Sequence, residues 1–146
     1  MRSPPQRSSS RREDAGVKVL ALDYGSARTG VAVSDPTGTV ARPLGVVERA
    51  GSETGLAELA RLAREQEADR VVVGLPLTMR GARGEQAVET EGFVEALRGV
   101  VGVPVELFDE RFTTDLAERT PGAAGVDALA AAHLLSTYLE WWAARS

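Results

Sequence analysis

The chain reads as a single α/β domain built on a five-stranded mixed sheet of order 3-2-1-4-5, with helices on both faces. Three observations carry that expectation. Residues 17–35, VKVLALDYGSARTGVAVSD, hold two apolar strand patterns joined by a short turn rich in glycine, which is a hairpin. Residues 70–77, RVVVGLPL, form the unbroken apolar run of a parallel strand covered on both faces. Helix-period stretches separate that run from the strands before and after it, as right-handed parallel crossovers require.

The elements follow in order. Val17, Val19 and Leu20 to Leu22 form the first strand, Asp23 stands at its end, and Val31, Ala32 and Val33 begin the second, with Gly25 and Gly30 allowing tight turning. An acid at that place is either a cap on the turn or a ligand. Residues 39–47, TVARPLGVV, read as a third strand, and Pro43 inside it places it at the sheet edge, because proline donates no ladder hydrogen bond. Ser52 or Thr54 caps a helix in which Leu56, Leu59, Ala60 and Ala63 recur at helical spacing.

After the fourth strand, the loop 78–84 contains Arg80 and Arg83, and a helix over 85–98 has Phe93, Ala96, Leu97 and Val100 as its apolar side. Gly99 and Gly102 stop it. Residues 103–108, VPVELF, are the fifth strand; DERFTTDLAER leads from its end into a short helix capped by Thr113 or Thr114. The last helix, about 126–143, carries a broad stripe of Ala128, Ala131, Ala132, Leu134, Leu135, Tyr138, Leu139 and Trp142, with Asp127 on the same side as Ala131 and Leu134. A carboxylate at the end of a core-facing stripe needs partners, or else caps the first turn, where the helix dipole favours negative charge. His133 falls on the more polar face and reads as surface; Trp141 and Trp142 read as core or subunit contact.

Length and composition bound the function. A chain of 146 residues is one domain and buries a sizeable core. Without cysteine, disulfide and thiol chemistry are excluded. Residues 1–16 begin with MRSPPQRSSSRRED and read as a disordered basic tail, with no apolar run behind it to serve as a signal-peptide core, so the domain proper is 17–146. No stretch is long and apolar enough for a transmembrane helix, and a soluble cytoplasmic protein is the expectation. The net charge is −4, and −6 once the four arginines, Glu13 and Asp14 of the first fourteen residues are set aside, the wrong sign for a simple nucleic-acid binder. Sixteen arginines stand against one lysine, and isoleucine is absent, a compositional bias that weakens arginine abundance as an argument for RNA or DNA.

Parallel strands end on one edge, so Asp23, the end of the fourth strand and the Asp109-Glu110 pair share one side of the sheet, where open α/β folds place their sites. Asp23, Glu110 and Asp127 can meet there. Three unneutralised carboxylates repel one another, whereas Mg²⁺ or Mn²⁺ would hold them together, attract phosphate and activate water against a phosphodiester. Taken singly, each acid has an ordinary explanation: a turn acid, a partner for Arg111 or Arg119, a helix cap.

Four stretches, LDYGSARTGVAVSDP, VVVGLPLTMRG, ELFDERFTT and VDALAAAHLLSTYL, in that order and spacing, resemble the bacterial RuvX (YqgF) family of ribonuclease H-like proteins across nearly the whole chain after residue 16. The resemblance implies a ribonuclease H-like fold, a cytoplasmic location and a metal-dependent nuclease of structured RNA, linked to maturation of the 5′ end of pre-16S ribosomal RNA. Holliday-junction resolvases share the superfamily, so branched DNA is an alternative substrate, and an inactive RNA-binding assembly factor is another reading. In the family pattern the acids fall at Asp23, Glu110 and Asp127, as catalytic residues and metal ligands. The chain departs from the family where consecutive basic residues often follow the first glycine, having Ser26, Ala27 and Arg28, and where a basic loop often precedes the last helix, having only Arg119 before TPGAAG. Arg28, Arg80, Arg83 and Arg111 are the candidates to hold nucleic acid in their stead. A nucleotide-binding fold of the actin and sugar-kinase type would need a second domain that this length does not supply. The oligomeric state, monomer or homodimer, is open.

Overall fold

The computed structural model describes residues 17–75, 84–109 and 124–145. The elements run β1 (Val19–Asp23), β2 (Arg28–Ser34), β3 (Ala41–Glu48), α1 (Glu53–Glu65), β4 (Arg70–Leu75), α2 (Glu85–Arg98), β5 (Val105–Asp109) and α3 (Ala124–Arg145). The sheet has the expected order β3-β2-β1-β4-β5. β2 pairs antiparallel with β1 and with β3, while β4 runs parallel to both β1 and β5.

Strand alternation sorts the core into two layers. Leu20, Leu22, Val31, Val33, Val71 and Val73 point to the side covered by α1 and α2, where they meet Leu59 and Ala63 of α1 and Phe93, Val94 and Leu97 of α2. Val19, Ala21, Ala32, Val72 and Phe108 point to the other side and meet Ala131, Leu134, Leu135, Tyr138 and Leu139 of α3. Because both faces are covered, the central strands are buried at nearly every residue, which is why they read as continuous apolar runs. Each fully buried leucine contributes about 2–3 kcal/mol by burial.

The helices start and stop for local reasons. Ser52 is the N-cap of α1, its hydroxyl accepting from the Gly55 amide at 3.0 Å. α2 covers Glu85–Arg98, as its spacing predicts, but Ala96 and Val100 are exposed. Its buried side is Ala87, Thr90, Phe93, Val94 and Leu97. The polar letter of Thr90 hides this face in the sequence; in the fold its hydroxyl donates to the Gln86 carbonyl at 2.8 Å, so burying it leaves no unmet donor.

β3 is the edge strand, consistent with Pro43. It begins two residues later than expected because Asp35 accepts from the Thr39 and Val40 amides, at 2.9 and 3.0 Å, and holds them in the turn. Val31 pairs with Gly45 and Ala32 with Pro43, so Leu44 bulges out of the ladder.

Candidate active site

Asp23 ends β1, and alternation puts it on the face of Val19 and Ala21, the face covered by α3. Its partner across the hairpin is Gly30. A Cβ on Gly30 would lie 1.9 Å from the Asp127 carbonyl oxygen and 2.4 Å from its carbon, so the first turn of α3 rests directly on the β2 backbone. Asp23 and Asp127, remote in the chain, are thereby brought to one place through a single glycine.

Arg28 completes the described cluster. It shares a face with Gly30 and Ala32, and its Nε donates to Asp127 Oδ2 at 3.1 Å. The Asp127 side chain is 15% exposed and that of Arg28 32%. Asp23 is 9% exposed. The guanidinium offsets the negative charge of the Asp127 carboxylate, which little solvent reaches.

Asp127 lies in the first turn of α3, which begins at Ala124, where the helix dipole favours its negative charge, as the helix-cap reading expects. Its stripe is the predicted one, with Ala131 and Leu134 both buried in the α3-side core. His133 is exposed, as expected, and Trp142 packs against the core. Glu110, Arg80, Arg83 and Arg111 lie outside the described residues, as does the expected short helix after β5. Among the described residues no group of three His, Cys, Asp or Glu side chains forms a metal site. Asp23 and Asp127 fit a divalent cation in donor chemistry: they are hard carboxylate oxygens, mounted on a strand end and a helix that the core holds rigid.

Two contributors escaped the sequence reading. Gly30 was expected to ease the turn, but it lies within β2 and serves the approach of α3; a glycine inside a strand pattern is the available signal for such contact. Tyr24 projects to the opposite face from Asp23, stacks on Phe93 of α2 with centroids 4.3 Å apart, and donates its hydroxyl to Glu89 at 3.2 Å. Burial, then the negative charge of Glu89, raises the Tyr24 pKa and keeps that phenol a donor.

A mixed sheet in this order, with one acid at the end of its first strand and another at the start of the helix that crosses it, is the ribonuclease H-like architecture. Solved structures of that fold resemble the chain: Thermus thermophilus RuvC in complex with a Holliday junction substrate, at TM-score 0.54 and 18% identity over 88% of this chain and 97% of that one; and the fowlpox virus resolvase with substrate Holliday junction DNA, at TM-score 0.51 and 12% identity over 86% and 99%. The chain belongs to the RuvX family, whose model, described as Holliday junction resolvase, matches residues 17–141. Similar relatives bear the name "Putative pre-16S rRNA nuclease": one from Chloroflexus aggregans is 44% identical over 84% of this chain and 92% of its own length, and one from Anaeromyxobacter sp. 44% over 85% and 97%. Membership makes the chain a nuclease, a hydrolase of phosphodiester bonds. No helix among the described residues is long and apolar enough to cross a membrane.

Proposed function

We propose that the chain is a cytoplasmic, divalent-metal-dependent endonuclease that cleaves structured RNA in 5′-end processing of pre-16S rRNA, with Asp23, Glu110 and Asp127 as its catalytic metal ligands. The observation that carries this reading is the meeting of Asp23 and Asp127 at Gly30. The names of the relatives support the RNA substrate. Mg²⁺ or Mn²⁺ would supply Lewis acidity and charge neutralisation for displacement at phosphorus. The side chains of this domain, residues 17–146, do the rest: β1 and α3 hold Asp23 and Asp127 in fixed relation, and Glu110, which follows the last residue of β5, adds the third carboxylate. Arg28, Arg80, Arg83 and Arg111 bind phosphates and orient the strand, which an acidic chain needs at the site itself. The basic tail 1–16 adds sequence-independent affinity.

The test is a metal titration of cleavage on labelled RNA and DNA structures beside Asp23→Asn. Cleavage should vanish in excess EDTA and fall by roughly a hundredfold or more in the variant. Turnover that survives either treatment overturns the reading, and metal-independent RNA binding without turnover would mark an assembly factor instead.

The description of the family model favours a second reading, a twofold dimer making paired cuts in a four-way DNA junction. Comparing junction and precursor RNA at one salt concentration separates the two, because phosphate-driven affinity falls steeply with salt.

A further inference from the structure

Arg28 reaches Asp127 across 99 residues of sequence, and the bond is lopsided in its exposure. The carboxylate is set into the fold, while the guanidinium comes to it from the more open side at the start of β2. The oxygen it holds belongs to one of the two described acids suited to a cation. A guanidinium and a divalent cation on the same carboxylate repel each other and compete for its lone pairs.

We infer that Arg28 is a displaceable occupant of the metal site: it holds Asp127 while no cation is bound, and passes to a phosphate oxygen of the nucleic acid when one binds. This rests on the metal-dependent reading above. Without cation, Arg28 neutralises the half-buried Asp127 carboxylate. With cation, that service is redundant, and a partly exposed ion pair is weak enough to exchange. The planar fork of arginine suits phosphate as well as carboxylate, so one charge-assisted hydrogen bond replaces another and no refolding is needed. Metal and nucleic acid then bind cooperatively through one side chain, and the coupling is reciprocal.

The experiment uses the full chain, Arg28→Gln and Arg28→Lys, each checked by thermal denaturation to be folded. Mn²⁺ is titrated calorimetrically into each protein without nucleic acid. Arg28→Gln should bind Mn²⁺ about three- to tenfold more tightly than the parent, while Arg28→Lys, which keeps the charge, stays within about twofold. Fluorescence anisotropy of a labelled RNA hairpin is then read in EDTA and in Ca²⁺. Arg28→Gln should weaken binding about fivefold or more in Ca²⁺ and less than about twofold in EDTA, since only the cation releases the guanidinium. Equal Mn²⁺ affinities in parent and Arg28→Gln, or equal losses of RNA affinity in both arms, overturn the inference while leaving the nuclease reading standing. A parent chain that takes up no Mn²⁺ overturns both.

Discussion

Gly30 of β2 and Asp127 of α3 touch backbone to backbone, with no room for even a methyl group between them. Gly30→Ala must therefore push the first turn of α3 off the sheet and carry Asp127 away from Asp23. Overpacking of this kind costs about 1–3 kcal/mol, and cleavage should fall further than that stability loss explains. Gly45, around which a Cβ would meet nothing within 4 Å, is the matched control: Gly45→Ala should stay within about 0.5 kcal/mol of the parent. Urea denaturation alongside turnover per folded molecule checks both.

Tyr24 ties the residue after Asp23 to α2 by a ring stack and a hydroxyl bond. Tyr24→Phe keeps the stack and should cost about 1 kcal/mol or less. Tyr24→Ala loses the aromatic pair, about 0.5–1.5 kcal/mol beyond the area it buries, and frees the backbone that aims Asp23. Only the alanine variant should lower turnover per folded molecule severalfold.

Asp35 organises the turn between β2 and β3. The Val40 amide, then the Thr37 hydroxyl, holds its carboxyl down at about 2, against an ordinary 3.8. The lowered value means the folded state favours the ionised form, so its contribution is complete above about pH 4 and disappears as pH falls towards 2. Asp35→Asn should unfold at lower urea than the parent at neutral pH, and the two midpoints should converge near pH 2.

Tyr138, on the buried face of α3, lies against the Arg70–Glu106 ion pair, accepting from Arg70 Nη1 at 3.4 Å. Burial, followed by the Glu106 charge, pushes its phenol up to about 12 from an ordinary 10.0. Between those values the unfolded chain releases a proton that the folded chain retains, so the stabilisation this group supplies is lost as pH rises from 10 to 12. Tyr138→Phe should cost about 1 kcal/mol or less at neutral pH and lose stability more slowly than the parent above pH 10, as read by denaturation midpoints.

Among the described residues, the sequence by itself determined the elements and their order, because strand alternation and helical spacing are local: the unbroken run in β4 declared a strand covered on both sides, and α2 occupies the residues its pattern marked. It also marked Asp23 and Asp127 as acids at structurally meaningful ends, though each taken alone read more readily as a turn or cap residue. Which face of α2 is buried depended on a threonine whose hydroxyl finds its own helix carbonyl, something no hydrophobicity pattern expresses. Only the tertiary structure decided that Asp127 sits on Gly30, that Arg28 holds it, and that Tyr24 anchors the strand end from the opposite side. Those relations join segments far apart in the chain, and their geometry comes from how closely a helix can settle on a sheet once a side chain is missing, a quantity fixed by packing and not by any local stretch of residues.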